Sequence, residues 1–251
     1  MRTLREDDPV AVALGQAIKA GDLAALERLL RDNAGLAAAR IGSEGKTHTP
    51  LHVATDWPGH FPNGPAVVRM LLAAGADVNA RVEGSWHQET PLHWVASSDD
   101  VDDFEVLIEG GADIEADGGS IAKGTPMDCA VGYGQWQVAR RLAECGARTK
   151  LWHAAALGLL PRVQELCAAD PQASRDQISE AFYQACHGGQ RATAEYLLGR
   201  GADIEFMPSW GKQTPLDIAR SRLEEPWAQP SDRELVEWLV GLGAQSAGGS
   251  D

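Results

Sequence analysis

A tetrapeptide that keeps returning constrains this chain more than any other feature. Thr49-Pro50-Leu51-His52 recurs as Thr90-Pro91-Leu92-His93, weakens to Thr125-Pro126-Met127-Asp128, and returns as Thr214-Pro215-Leu216-Asp217. A second signature follows in register, two apolar residues leading to Gly-Ala-Asp. Leu71-Leu72 precede Gly75-Ala76-Asp77, Leu107-Ile108 precede Gly111-Ala112-Asp113, and Leu197-Leu198 precede Gly201-Ala202-Asp203. Threonine is an N-cap whose hydroxyl can accept from a free amide of the first helical turn. Proline at the first helical position loses nothing, because that amide has no intrahelical partner. Glycine permits the left-handed turn that ends a second helix. Each such unit exposes an apolar face that only a neighbour can bury, so the units must stack.

The tetrapeptides and the second motif together resemble the ankyrin repeat family over about residues 14 to 244, in its stand-alone, bacterial-type form. The resemblance implies an all-α fold: an ankyrin-repeat solenoid of about six repeats plus an N-terminal capping helix pair, with short hairpin loops. The expected organisation is a capping pair over 1–46, repeats over 47–245 continuous with it in one domain, and a disordered tail over 246–251. Leu14 to Ile18 and Leu23 to Leu30 form the capping helices, with Asp22 as an N-cap. Lys150-Leu151-Trp152-His153 fills the tetrapeptide position of a degenerate fourth unit, and a fifth starts near Ala181.

Composition narrows the partners. The chain has 251 residues and a formal net charge of −14. That sign repels phosphate backbones, and the densest basic stretch, Arg140-Arg141 with Arg148 and Lys150, sits among acidic neighbours. Nucleic acid is therefore not expected. The first residues have no apolar core of a signal peptide, and no stretch reaches the roughly 18 apolar residues of a membrane span. Cys129, Cys145, Cys167 and Cys186 form no Cys-x-x-Cys pair and each sits in an apolar helical context. Buried free thiols in a reducing cytoplasm are expected, in a monomer without cofactor or metal.

Repeat proteins place function where they depart from their own repeat. The first departure is Trp57 to Pro65, an insertion rich in proline and glycine that also carries Phe61 and His60. It is expected to be ordered and bent over the concave face. The second is the hairpin Val82 to Glu89 with Trp86 and His87 at its tip, matched later by Met207 to Trp210. The third is Glu224 to Asp232, in which Ser231 or Asp232 can cap the final helix.

Register places Asp56 and Trp57, Ser97, Ser98 and Asp99, Tyr133, and His187 at the ends of successive first helices. Those residues are expected to line one surface, bordered by Trp86, His87 and Trp210, with His60 above it. Of the eight tryptophans, Trp94, Trp136, Trp152 and Trp238 fall at core positions, while Trp57, Trp86, Trp210 and Trp227 do not. Five of the seven histidines fall between 48 and 93, which suggests a metal or acid–base cluster. His52, His93 and His153, however, occupy the fourth tetrapeptide position, where the resemblance gives the imidazole a backbone-bonding duty. No His-x-x-x-His metal pair remains.

Two functions follow. The resemblance implies a protein-binding adaptor, inhibitor or regulator that grips its partner through the concave groove. The alternative is a small-molecule binder or a cofactor-independent isomerase or cyclase. It would use Asp56, His60, His87 and Asp99 for proton transfer in a pocket roofed by residues 57–65. A closed apolar cavity with those groups converging would favour the second; an open groove favours the first.

Overall fold

A computed structural model describes residues 2–43 and 45–248. By their internal contacts the residues fall into two compact units, 1–147 and 148–251, and each is taken by itself.

The first unit begins with strand β1 (Thr3–Leu4) and helices α1 (Pro9–Ala20) and α2 (Leu23–Asp32). Asp8 caps α1 by accepting from Val10 N at 2.8 Å, and Asp22 caps α2 by accepting from Ala25 N at 3.0 Å. Strands β2 (Arg40–Ser43) and β3 (Lys46–His48) follow. Then come α3 (Pro50–Ala54) with α4 (Gly64–Ala73), α5 (Pro91–Ser98) with α6 (Val101–Glu109), and α7 (Pro126–Gly132) with α8 (Trp136–Glu144). Each of α3, α5 and α7 opens with proline just after a threonine N-cap, as the tetrapeptides demand. Leu14, Ile18, Leu26, Leu51, Leu71, Leu92, Phe104, Leu107, Met127 and Leu142 are fully buried. They are the apolar positions that each helix pair hides against the next.

The three strands form a small sheet, β1 parallel to β2 and β2 antiparallel to β3. An all-α expectation omits it. Strands of two to four residues show no readable alternation, and this one is fixed by its partners. Thr47 extends the pairing by exchanging both backbone bonds with Glu83 of the next hairpin.

The second unit holds α9 (Leu151–Ala156) with α10 (Leu160–Ala169), α11 (Arg175–His187) with α12 (Arg191–Gly199), and α13 (Pro215–Ser221) with α14 (Pro230–Gly241). Its core gathers Val163, Phe182, Ala185, Cys186, Leu197, Leu216, Leu235 and Leu239. The fifth repeat unit, α11 with α12, begins earlier than Ala181: Ser174 caps α11 by accepting from Gln177 N at 3.2 Å. Asp232 secures the start of α14 by accepting from Gln229 N at 2.8 Å, and its other oxygen pairs with Arg222 Nε at 2.7 Å. Of the tail, Ser246 accepts from Arg220 at 2.6 Å and Ala247 N donates to Asp217 at 2.9 Å. The rest of the stretch expected to be disordered, 249–251, lies outside the described residues.

The fourth-position histidines are structural. His52 Nδ1 accepts from Thr49 N at 3.2 Å and its Nε2 lies 3.1 Å from Glu89 O in the following repeat. His93 repeats this with Thr90 N at 3.1 Å and Gly124 O at 3.1 Å. Burial pushes the His52 imidazole down to about 3, so it is neutral and its Nε2–H is the donor. In Asp128 and Asp217 a carboxylate does the local half of this work, accepting from Thr125 N at 2.7 Å and Thr214 N at 3.0 Å. His153 Nδ1 accepts from Lys150 N at 3.1 Å.

The four cysteines are free thiols, and Cys129, Cys167 and Cys186 are buried. Cys145 departs from expectation: it follows the last turn of α8 and is exposed.

Candidate functional site

The insertion is ordered, and it is clamped from two sides. Pro62 carbonyl lies so close to Gly21 that a Cβ there would meet it at 1.9 Å, and Asn63 Nδ2 donates to Gly21 O at 2.9 Å. On the other side, Gly59 abuts Ser98, and the His60 amide donates to Asp100 Oδ2. Gly64 lies against the Asp103 carboxylate. The loop therefore joins the α1–α2 turn to the α5–α6 turn. Of its residues, Trp57 lines the cleft described next.

That cleft, of about 480 Å³, runs along the ends of α3, α5 and α7. It is lined by Asp56, Trp57, Glu89, Trp94, Ser97, Ser120, Tyr133 and Gln135. Trp57 is 77% exposed and Tyr133 about half exposed. The Tyr133 hydroxyl meets Ser120 Oγ at 3.1 Å. Asp56 pairs with Lys19 Nζ at 3.4 Å on the surface. Glu89 lies at the bottom, 6% exposed. One of its oxygens accepts from Trp94 Nε1 at 3.0 Å and the other from Ser120 N at 2.8 Å. His87 Nδ1 lies 3.2 Å from Glu89 Oε2, close enough to pair though outside hydrogen-bond alignment. Trp86, 65% exposed, stands edge-on to the His87 ring at 5.0 Å.

Asp56, Trp57, Ser97 and Tyr133 thus line one cleft, with His87 beside its Glu89 and Trp86 against His87. Register does not bring in the rest. Ser98 is buried beneath Gly59, its hydroxyl bonded to Trp94 O at 3.2 Å. Both Asp99 oxygens are committed to α8, one to Val138 N at 2.8 Å and one to Gln137 Nε2 at 3.2 Å. His60 stands on the insertion, its ring 3.8 Å from Asp100. The four acid–base candidates therefore face four different partners: Asp56 meets Lys19, His60 meets Asp100, His87 meets Glu89, and Asp99 caps α8.

His187 and Trp210 belong to the second unit. His187 Nδ1 lies 3.1 Å from Gln184 Oε1, and burial holds its imidazole down to about 4. Trp210 is exposed and stands edge-on to Tyr183 at 5.8 Å. Trp227, left open by the repeat, packs on its own chain, with the Arg222 guanidinium 5.1 Å from its ring.

Sequence reasoning missed Glu89, Ser120 and Gln135, and it assigned Trp94 to the core. Trp94 is half-buried because its indole N–H must reach Glu89. Trp152 and Trp238 are likewise half-buried. Glu89 stands directly before a threonine cap, outside the repeat motif, where no period marks it. Among the described residues, no group of three or more His, Cys, Asp or Glu is placed to hold a metal ion. Among them, too, no helix is long and apolar enough to cross a membrane.

Comparison with known proteins agrees with this architecture. Residues 47–82 and 87–116 each match a family model described as ankyrin repeat. An ankyrin repeat and KH domain-containing protein of Caenorhabditis briggsae is 29% identical over 170 residues, 64% of this chain. The chain spans 6% of that relative's length. The crystal structure of the human ASB11 ankyrin repeat domain superposes with a TM-score of 0.50 at 22% identity, covering 89% of this chain and 96% of that one. Residues 47–82 and 87–116 are thus ankyrin repeats, and the fold is the ankyrin-repeat solenoid.

Proposed function

We propose that the unit 1–147 carries a protein-binding surface, centred on the cleft of Asp56, Trp57, Trp94 and Tyr133, and that the chain acts as an adaptor, inhibitor or regulator. The observation that carries this reading is the kind of surface presented. Trp57, Trp86 and Tyr133 hold large aromatic area in water around an open cleft. Aromatic anchors of that sort supply most of the binding energy in protein interfaces. Both family matches fall in this unit, and ankyrin repeats are protein-interaction modules. The geometry does not favour the catalytic alternative, since its four acid–base residues do not converge: Asp56 meets Lys19, His60 meets Asp100, His87 meets Glu89 and Asp99 caps α8. Free thiols at all four cysteines favour a reducing compartment such as the cytoplasm. The test is affinity capture with the chain and with its Trp57→Ala/Trp86→Ala variant. Both positions are exposed, so folding should survive. A specific protein held by the first and lost by the second is the expected result; identical capture by both contradicts the reading.

A further inference from the structure

We propose that this cleft takes a basic segment of a partner protein, with one lysine or arginine side chain entering beside Trp57, Trp94 and Tyr133 toward Glu89 and Asp56. The inference rests on the protein-binding reading above and names the chemistry of the partner.

Its basis is charge without a fixed countercharge. Glu89 is buried, and its two oxygens accept from a tryptophan N–H and a backbone amide. Among the described residues, His87 is the one further group in pairing distance. No lysine or arginine lines the cleft among the described residues. A carboxylate removed from water attracts a cation more strongly than a surface carboxylate does. The second carboxylate, Asp56, is held by Lys19 in an exposed pair at 3.4 Å with both side chains near half exposure. Such pairs are weak and exchange readily for another cation.

The walls suit the same guest. Trp57, Trp94 and Tyr133 line the cleft together with the two carboxylates. A guanidinium or ammonium over an aromatic face gains cation–π attraction, and gains more as it is desolvated. The cleft is open rather than closed, and exposed Trp86 borders it through its edge contact with His87. A peptide chain can therefore lie along the surface while one side chain enters. The chain's net charge of −14 steers a basic partner toward it and a nucleic acid away.

The experiment pans a random-peptide library against the whole chain. Selected peptides are then measured against Trp57→Ala/Tyr133→Ala, Asp56→Asn and Glu89→Gln. Asp56→Asn alters a surface group and leaves the buried bonds of Glu89 intact, so it serves even if Glu89→Gln folds poorly. The expected result is a set of peptides that need Trp57 and Tyr133 and share a lysine or arginine. Replacing that residue by norleucine or citrulline should weaken binding about tenfold or more. Asp56→Asn should weaken it too, and added salt should do the same.

Peptides that need the aromatic residues but no cation would overturn this inference and leave the protein-binding reading standing. Peptides indifferent to Trp57 and Tyr133 would overturn both. Equal competition by tetramethylammonium at the same molarity would overturn it as well, by making the cleft a small-cation site.

Discussion

Asp103 carries the sharpest consequence at the scale of single residues. It is fully buried in the first turn of α6, neither carboxylate oxygen has a hydrogen-bond partner, and Asp100 lies close by. Burial, and then the Asp100 and Asp102 charges, push it up to about 7. A carboxyl raised in the fold binds a proton there that the unfolded chain has lost. Its contribution to stability is therefore present at low pH and is lost as pH rises from about 4 to about 7. The shift is worth up to about 4 kcal/mol. Asp103→Asn should raise the melting temperature by several degrees at pH 8 and by little near pH 4. Equal melting curves for the two proteins at pH 8 would refute this account of Asp103.

His52 runs the other way. Its ring is neutral in the fold and would protonate near 6.5 if unfolded, so its stabilisation is full above pH 6.5 and falls as pH drops toward about 3. His52→Ala should cost about 1–3 kcal/mol at pH 7.5, by leaving Glu89 O unpaired, and less at pH 5. Denaturant melts at the two pH values decide this. The role of His52 was legible, because its place in the tetrapeptide prescribes its bonds. Glu89 was not: it precedes the motif, where no period dictates a residue type, and its job depends on Trp94 turning out of the core.

Among elements, the 57–65 insertion is the clearest test of packing against sequence. Proline, glycine and two aromatics marked it as ordered. Its direction was hidden, because Gly21 and Asp100, the residues it meets, lie some forty positions away on either side. Gly21 has φ of 62° and faces the Pro62 carbonyl. Gly21→Ala should thus cost about 2 kcal/mol, adding backbone strain to a steric clash. Deleting residues 58–64 should lower the melting temperature in the same direction. A deletion that leaves stability unchanged would mean the clamp contributes nothing. The helices were legible for the reason the insertion was not: caps, prolines and apolar spacing are local, whereas the β1–β2 pairing joins Thr3 to Arg40 with no local mark.

For the molecule as a whole, the repeat signature led to the ankyrin fold and the repeat register led to half the cleft. Asp56, Trp57, Ser97 and Tyr133 line one cleft because they sit at equivalent points of successive helices. Ser98 and Asp99, one and two positions further along the same turn, point elsewhere, Ser98 under Gly59 and Asp99 onto α8. Register fixes a height along the repeat but not which way a side chain turns at a helix end. The function argued here needs the cleft to be the place where a partner lies.

Hydrogen exchange of the chain alone and with its captured partner reads that directly. The account predicts slowed exchange at the backbone around 56–57, 86–89, 94–97, 120 and 133–135, with the solvent side of α4, α6 and α8 unchanged. Protection confined to those helices, with the cleft exchanging as before, would contradict it.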